Sequence, residues 1–405
     1  MRRLVLNATL GPATRARRDP ERALAAWLAR AGAIAEAADA EPDAEDYAFV
    51  DDLGVLLRAF AGVPGLTPVG WTAQLREAEQ RLENRLRVKW IHARNPRVGA
   101  EAIERPVFIV GLPRTAAGLV HRILARSEPH RAPMLWELLR TGADGDDTAA
   151  QRSLDTVSRQ LEALDGLGSA GRSAEPQRAD WPGESTAVLW RTWRPLRCAH
   201  LPEYRAWLDQ ADATGDYVHL KQVLQVLQYG RTPRRWILRF PGDVARLDLV
   251  RRVFPDAVFV WTKRDPATAL ASFCSVVEAL TVMHCKEVDP ERIGRTWLGL
   301  LAEGYQRGRK LRRSLPADAV ADLNYHRLVF DPHRYAPDLY DRIGAEWTHR
   351  DAMGLNEITG PANRPARRVD LGRYGLTEAA VAEAFADTDP ALEVFTIQQW
   401  GPPPH

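Results

Sequence analysis

The feature that most constrains the fold of this chain is a series of short apolar runs, each followed by a turn or a helical pattern. Three such runs are "PVFIVG" at 106–111, "RRWILRF" at 234–240 and "DAVFVW" at 256–261. Strands that are apolar on both faces are typical of parallel sheets covered by helices. Between the last two runs, Val244, Leu247 and Val250 recur at helical spacing and complete a βαβ unit. The sequence therefore predicts an α/β fold, a three-layer domain with a central parallel sheet.

The first hundred residues follow a helical pattern instead. One face of the segment 72–93 carries apolar residues, namely Leu75, Ala78, Leu82, Leu86 and Trp90, and Asn95-Pro96 ends it. We predict an N-terminal helical extension over 1–100 and an α/β domain over 101–405. Residues 141–185, rich in Gly, Asp, Ser and Ala, are predicted to form a lid or insertion around one short amphipathic stretch. The remaining patterns predict helices at 266–282, 290–314, 332–344 and 377–387 and a late strand in "AVADLNY" at 319–325.

Composition limits the function classes. A net charge of +2 with 27% charged residues shows no excess that favours nucleic acid or a membrane surface. The cysteines Cys198, Cys274 and Cys285 lack the spacing of a metal site or a disulfide framework, so we expect free core thiols and no metal. The N-terminal apolar run is interrupted at Asn7 and Thr9, and no window reaches transmembrane length. We predict a cytoplasmic protein without nucleic-acid or membrane partners, and leave its oligomeric state open.

The turn after the first predicted strand is a candidate anion site. "PVFIVGLPRTAAGLVHRIL" at 106–124 reads as strand, Gly-containing turn and helix. Such a junction gathers free backbone N–H groups and the positive end of a helix dipole at one point. Arg114 can add a guanidinium and Thr115 a hydroxyl. The segment lacks the Gly-Lys-Ser/Thr of a Walker A NTPase, and an ordinary βα junction without a ligand explains the pattern equally well.

A second candidate site lies in "VWTKRDPATALASFCSVV" at 260–277. Here a strand ends at Trp261, Pro266 suits the start of a helix, and Ser272 lies two turns further on. Arg264 at the strand end and Ser272 on the helix can converge on one anion. The alternative is that Arg264 forms a salt bridge within the turn and Ser272 is a surface hydroxyl. For this stretch taken alone, the alternative is the better interpretation.

Together, in this order and separation, the two stretches resemble the sulfotransferases that use 3′-phosphoadenosine 5′-phosphosulfate (PAPS), particularly the bacterial branch related to the tyrosylprotein enzymes. "FIVGLPRTAAGLVHRIL" is similar to the strand–loop–helix that binds the 5′-phosphosulfate in that family, and Arg264 with Ser272 fits its 3′-phosphate motif. "HRAPMLWELL" and "LGRYGLTEAAV" also resemble family segments, so the resemblance covers residues 70–390. It implies a P-loop-like α/β fold, PAPS as sulfuryl donor, its product 3′-phosphoadenosine 5′-phosphate (PAP) as a ligand, and a small-molecule acceptor.

The loop itself departs from the family pattern. Where the family has Gly-Thr-Thr, this chain has Ala116, Ala117 and Gly118, so two hydroxyls are absent and a methyl group replaces a hydrogen. Each lost hydrogen bond to a charged group costs about 1.5–3 kcal/mol. The resemblance therefore implies a 5′-phosphosulfate loop that binds the cofactor weakly or not at all, beside an intact 3′-phosphate half.

Sulfuryl transfer needs a base for the acceptor and cations for the developing charge. Arg114 is the candidate cation. Glu137 in "LWELL" occupies a position that resembles the catalytic Glu of the tyrosylprotein branch, and burial beside Trp136 would suit a base. A helix-surface pair between Glu137 and Arg140 is an equally good explanation.

Three further residues are weaker candidates. Asp243 is the second candidate base, although an Asp at a helix start is most often an N-cap. Arg367 and Arg368 resemble the late basic segment that closes over the nucleotide in the family, and a solvated basic run is the favoured alternative. His121, on the helix after the loop, is expected to be a core residue.

These observations leave three functions. The first is transfer of a sulfuryl group from PAPS to a hydroxyl, phenol or amine of a small molecule in bacterial secondary metabolism. The second is a non-sulfating reaction on the same fold without PAPS, such as proton transfer, elimination or cyclisation, with Glu137 or Asp243. The third is a non-catalytic binding protein. Binding of PAP distinguishes the first from the other two.

Overall fold

The structure is a computed structural model that describes residues 2–12, 14–15, 19–39, 41–143, 145–165, 177–359 and 369–386. The chain divides into two units. The first comprises Met1–Ala102, Met134–Arg231 and Val276–Val288, and the second comprises Ile103–Pro133, Thr232–Ser275 and Asp289–His405. The division at residue 100 stays a prediction.

The described part of the chain begins with five helices and combines strands with helices from residue 107 onward. In chain order they are α1 (Arg2–Leu10), α2 (Pro20–Ala37), α3 (Ala44–Ala61), α4 (Pro68–Arg94), α5 (Pro96–Gly99), β1 (Val107–Gly111), α6 (Ala117–Arg126), β2 (His130–Arg131), α7 (Leu135–Leu139), α8 (Asp147–Asp165), α9 (Pro202–Gln210), α10 (Thr214–Gln228), β3 (Arg235–Arg239), α11 (Leu247–Val253), β4 (Val258–Lys263), α12 (Pro266–His284), α13 (Pro290–Arg312), β5 (Val320–Asn324), α14 (Tyr325–Phe330), α15 (Pro332–Arg342), α16 (His349–Thr359) and α17 (Glu378–Phe385). Short 3₁₀ helices include Arg194–Arg197 and Pro241–Arg246.

Helices α2, α3 and α4 pack together in the first unit. Asp19 and Asp43 cap α2 and α3 by accepting hydrogen bonds from backbone N–H groups of the first turn. Trp27 of α2 is fully buried, and its indole N–H donates to the carbonyl of Val50 in α3 at 2.9 Å. The helical character predicted for the N-terminal residues is therefore confirmed.

Trp90 differs in burial from most of the apolar face predicted for α4. Its side chain is 43% exposed, whereas Ala78, Leu82 and Leu86 are buried. In a helix with 3.6 residues per turn, position 90 lies at the edge of the apolar face that starts at Leu75. There the Arg94 guanidinium covers the indole ring at 4.5 Å. Trp90 therefore lies at the exposed end of the apolar face predicted for α4.

The segment predicted as a lid contains a longer helix than its composition indicates. Helix α8 has 19 residues, and Val157 and Ser153 on it are buried. Residues 166–176 lie outside the described part of the chain. A lid over 141–185 stays a prediction.

The second unit contains a parallel sheet with strand order β2-β3-β1-β4-β5. Strands β1 and β4 are neighbours over their whole length, with Val107 opposite Val258 and Gly111 opposite Thr262. The chain adds β3 on one side of β1 and β4 on the other, so the strand order reverses next to β1. In open α/β sheets, ligands bind at the carboxyl ends of the strands at such a reversal.

Helices cover both faces of this sheet. On one face, Ile109 and Val260 pack in a core cluster with Val120 and Leu124 of α6 and Leu339 of α15. On the other face, the Phe108 ring contacts Phe254 at 5.5 Å, and Trp261 contacts Tyr305 of α13 at 5.5 Å. The predicted three-layer α/β fold with a central parallel sheet is confirmed, as are the late strand and the helices that follow β4.

Helix α12 bears on the membrane prediction. It is long and apolar enough to cross a membrane by length and composition alone, so the expectation that no window reaches this length is wrong. The core helix of a globular protein passes the same test, and Leu270, Phe273 and Cys274 of α12 are buried. The absence of a membrane partner stays a prediction.

Candidate functional site

The candidate site begins where β1 ends. Gly111 has φ 132° and stands opposite Thr262 in β4. A Cβ atom at this position would overlap the Thr262 carbonyl oxygen. Only glycine allows this close approach of the two strand ends at this backbone angle.

The loop between β1 and α6 has two residues in the left-handed conformation. They are Arg114 with φ 70° and Ala116 with φ 62°. A non-glycine residue in this conformation costs about 1–2 kcal/mol. The loop therefore keeps a backbone shape that suits glycine at 116, although the sequence has alanine there. Ala116 is also the N-cap of α6 and offers no side-chain cap to the N–H groups of the first turn.

Three residues of the two predicted motifs meet above β1 and β4. The Arg114 Nε donates to the Ser272 hydroxyl at 3.0 Å, and the Arg264 Nη1 donates to the Arg114 carbonyl at 2.8 Å. Arg264 and Ser272 are 8% and 6% exposed. Asp265 accepts from the backbone N–H and hydroxyl of Thr268. The alternative of a surface hydroxyl at Ser272 is thus wrong, because residues 269–274 of α12 are buried.

The surroundings of the Arg264 side chain suit the binding of an anion. Its guanidinium carbon lies 4.0 Å from the centre of the Tyr325 ring, a cation–π contact that fixes the side chain. The buried Nε atom has no hydrogen-bond partner within the described ranges. A buried donor without a partner costs about 1–3 kcal/mol, which a phosphate oxygen would offset.

The Thr115 hydroxyl is engaged within the protein. The residue is 1% exposed, and its Oγ1 lies 2.7 Å from the Leu112 carbonyl and 2.6 Å from the Thr262 hydroxyl. Thr262 Oγ1 in turn donates to Val110 at 3.0 Å. The hydroxyl pair ties the loop to β4. The expectation that the Thr115 hydroxyl faces an anion is not supported by this geometry.

Glu137 belongs to the first unit. Its Oε2 accepts a hydrogen bond from the Met134 backbone N–H at 2.8 Å, and its Oε1 lies 3.7 Å from Arg231 Nη1. The residue is 6% exposed. Arg140 donates to Ser153 instead. The alternative of a surface pair with Arg140 is therefore wrong, and the carboxylate holds the start of α7. Its role as a base stays a prediction.

Asp243 lies in the 3₁₀ helix Pro241–Arg246, which packs against β1 and α13. It is fully buried. The N-cap residues of this helix and of α11 are Phe240 and Arg246, so the N-cap interpretation of Asp243 is wrong. Its role as a second base stays a prediction. Arg367 and Arg368 lie outside the described residues.

His121 is a core residue, as expected. It is fully buried, and its Nε2 donates to the Ile237 carbonyl at 3.1 Å. Burial, and then the charge of Arg239, lowers the pKa of His121 to about 3. The imidazole is therefore neutral at physiological pH and joins α6 to β3.

Sequence reasoning missed two contributors to the site, Thr262 and Tyr325. Both stand at the carboxyl end of a strand, Thr262 in β4 and Tyr325 directly after β5. The carboxyl ends of parallel strands lie on the same side of a sheet. The residues that directly follow each predicted strand were therefore the sequence signal that could have identified Thr262 and Tyr325. Within the described ranges, no group of three or more His, Cys, Asp or Glu side chains could hold a metal ion.

A parallel α/β unit with an arginine-lined loop at its strand ends is an arrangement in which α/β proteins commonly hold anionic groups, at a topological switch point of the sheet. The model of the sulfotransferase family matches residues 106–349 of the chain. This is more than half of the 405 residues, and the chain belongs to the sulfotransferase family.

Two relatives and two similar structures come from mycobacteria. The chain is 22% identical over 253 residues to the omega-hydroxy-beta-dihydromenaquinone-9 sulfotransferase Stf3 of Mycobacterium bovis and of Mycobacterium tuberculosis. The match covers 59% of this chain and spans 62% of the length of those relatives. The structure of sulfotransferase STF1 from Mycobacterium tuberculosis has a TM-score of 0.76 at 25% identity, covering 88% of this chain and 97% of that one. STF9 from Mycobacterium avium has a TM-score of 0.77 at 24% identity, covering 91% and 96%.

Proposed function

We propose that this chain transfers a sulfuryl group from PAPS to a hydroxyl, phenol or amine of a small molecule in bacterial secondary metabolism. The observation that carries the proposal is the convergence of Arg114, Arg264 and Ser272 at the ends of two adjacent parallel strands. Sulfotransferase family membership supports the reaction class. The name of the Stf3 relatives describes a hydroxylated acceptor, which favours a hydroxyl among the three.

The residues present fit an anionic cofactor. Arg264 brings a buried Nε without a partner in the described structure, and Ser272 adds a hydroxyl whose hydrogen can point to a phosphate. These two would hold the 3′-phosphate. The loop 114–118 and the start of α6 would face the 5′ end, where Arg114 can stabilise negative charge. When bound, PAPS supplies the activated sulfuryl group.

The acceptor side needs a group that takes a proton. Glu137 and Asp243 are the proposed bases, and both are buried carboxylates in the described structure. Glu137 accepts a hydrogen bond from the Met134 backbone N–H and lies beside a cation, Arg231. Arg367 and Arg368 are proposed to close over the nucleotide.

Binding of PAP by isothermal titration calorimetry tests the proposal. We expect the full chain to bind PAP and Arg264→Ala to lower the affinity at least about tenfold, because a charge-assisted hydrogen bond contributes about 1.5–3 kcal/mol. Arg307→Ala is the matched control, since this arginine of the second unit is 59% exposed on its side chain. It should bind PAP as the parent chain does.

The outcome separates the three functions. PAP binding that depends on Arg264, followed by sulfation of a test phenol with PAPS, supports the proposal. A folded chain that binds no PAP overturns it. In that case, loss of activity in Glu137→Gln would indicate the non-sulfating enzyme, and the absence of any turnover would indicate a binding protein.

A further inference from the structure

One cavity in the first unit lies between α2 and α4. Its volume is about 560 Å³, within the range of small-molecule sites, which is about 300–1,000 Å³. Its apolar lining includes Ala33, Ile34 and Ala37 of α2 and Leu86 and Trp90 of α4. A concave, largely apolar lining of this size favours a small ligand with an apolar part.

Trp90 contributes the largest apolar side chain of this lining. The indole is 43% exposed, and the Arg94 guanidinium lies 4.5 Å from the ring centre. This cation–π contact restrains the ring. Leu86, one turn earlier on α4, is buried. Part of the indole surface therefore stays in contact with water, and an apolar ligand in the cavity would cover it.

The charged residues of the lining are Arg30, Glu83 and Arg87. Arg30 forms a salt bridge with Glu79 at 2.8 Å. Glu83 is exposed, so water and salt screen its charge. Arg87 is half-buried, and burial and then the neighbouring Arg140 lower its pKa. Among the residues that the structure describes, no carboxylate forms a salt bridge with Arg87. The lining thus contains a half-buried cation that a ligand carboxylate could pair with.

The Arg87 side chain is held in place by Asn84, which is 5% exposed. The Arg87 Nη1 donates to the Asn84 Oδ1 at 3.2 Å. The Asn84 Nδ2 donates to the Leu138 carbonyl at 3.0 Å and to the Thr141 hydroxyl at 3.2 Å. The Asn84 Oδ1 also accepts from the Thr141 backbone N–H at 2.8 Å, so the orientation of the amide is set. In the described structure the Asn84 bond uses one of the five N–H donors of the guanidinium.

We propose that this cavity binds an apolar carboxylate, with the carboxylate group at Arg87 and the alkyl chain against Ile34 and Trp90. A guanidinium and a carboxylate form strong, directional hydrogen bonds, which fix the head of the ligand. Contact of the chain with the apolar lining removes both surfaces from water. The proposal concerns the first unit alone, and it holds whether or not the chain transfers sulfate.

The first test titrates the full chain with hexanoate, octanoate, decanoate and 1-octanol in a calorimeter. Each added methylene group should lower the dissociation constant at least about twofold, because the chain enters an apolar lining. Octanoate should bind at least about tenfold more tightly than 1-octanol, which lacks the charge. A dissociation constant that is independent of chain length, or equal for octanoate and 1-octanol, would overturn the proposal.

The second test removes the cation. Arg87→Gln should raise the dissociation constant of octanoate at least about tenfold and leave that of 1-octanol unchanged. Arg22→Gln is the matched control, because this arginine of α2 is 80% exposed on its side chain and lies outside the lining. Equal losses of octanoate binding in the two variants would show a general effect of net charge and would overturn the proposal.

The third test adds an opposing charge without touching a buried residue. Ala33 is exposed, so Ala33→Glu should fold even if Arg87→Gln does not, which thermal unfolding checks. The new carboxylate should repel octanoate and raise its dissociation constant at least about fivefold. Ala25→Glu, at an exposed alanine of α2 outside the lining, should bind octanoate as the parent chain does. Unchanged octanoate binding in Ala33→Glu would place the ligand elsewhere and overturn the proposal.

Discussion

The Arg264 guanidinium donates a hydrogen bond to the backbone carbonyl of Arg114 at 2.8 Å, although 150 positions separate the two residues in the chain. The bond connects the turn after β4 to the turn after β1. Arg114 makes a second contact between the two segments, because its Nε donates a hydrogen bond to Ser272 on α12. The cation proposed for the 3′-phosphate therefore also fixes the loop proposed for the 5′ end.

The Ser272 hydroxyl can be tested separately from Arg264. Ser272→Ala removes the acceptor of the Arg114 Nε bond, and we expect the PAP dissociation constant to rise about tenfold, within the range for hydrogen bonds to charged groups. Ser275→Ala, one turn later on the same helix, is the matched control, because its hydroxyl donates to the Ser272 carbonyl. Calorimetry of both variants gives the comparison. Equal effects would indicate a role in helix packing only.

The altered loop can be returned to the family pattern. Ala116→Gly, Ala117→Thr and Gly118→Thr together should tighten PAP binding, by at most about 1.5–3 kcal/mol for each useful hydroxyl. Ala116→Gly alone serves as the control without hydroxyls. Unchanged PAP affinity in a folded triple variant would show that the loop has left cofactor binding.

The backbone at residue 116 predicts a gain in stability. Ala116→Gly should raise the free energy of unfolding by about 1 kcal/mol, because glycine adopts the left-handed conformation without strain. Ala117→Gly, at the next position but in helix α6, should lower it. Urea unfolding followed by circular dichroism measures both. A loss of stability in both variants would contradict the strain at 116.

Substitution of Gly111 and of Gly299 by alanine should change the stability in opposite directions. Gly111→Ala should destabilise the chain by several kcal/mol, roughly 2–4, since the new methyl group overlaps the Thr262 carbonyl at a positive φ. Gly299→Ala in α13 meets no atom within 4 Å and should stabilise by about 0.5–1 kcal/mol. Thermal unfolding compares them. An unchanged melting temperature in Gly111→Ala would mean that the ends of β1 and β4 lie further apart than described.

Two buried histidines predict the stability at mildly acid pH. Burial first, and then nearby arginines, lowers the pKa of His121 and of His219 to about 3, below the usual 6.5. The folded chain thus binds fewer protons than the unfolded chain between these values, and stability is lost as the pH falls below 6.5. Each histidine contributes about 1.4 kcal/mol per pH unit. The window from pH 6.5 to 5 avoids most carboxylate titration, and His121→Gln should reduce the slope of the unfolding free energy there by up to about 1.4 kcal/mol per pH unit.

The buried strands and the two motifs were predictable from the sequence because their pattern is local. A run such as "VFIV" predicts both a strand and its burial. The position of each motif directly after a strand predicts that Arg114 and Arg264 lie at the carboxyl ends of the same sheet. Glu137 shows the limit of such reasoning. Its partners, the Met134 N–H and Arg231, depend on how a short helix packs within its unit, and no spacing in the sequence reports that.

The contact between the Cys285 thiol and the Cys198 carbonyl was beyond the sequence for the same reason. The two cysteines directly follow a 3₁₀ helix and a long helix, and each looks unremarkable by itself. Thr115 shows the converse. Its hydroxyl could serve an anion or the protein interior, and only the position of Thr262 decides for the interior.

The bond between Arg264 and the Arg114 carbonyl also has a consequence for protein synthesis. At about 5–20 residues per second, the ribosome adds the 150 residues between them in about 8–30 s. During that interval the nascent loop lacks β4, the Thr262 hydroxyl and the Arg264 guanidinium, so nothing from those segments holds Ala116 in its left-handed conformation. The loop therefore reaches its final shape only after translation has passed residue 264, and a truncated chain that stops earlier would carry the motif without its geometry.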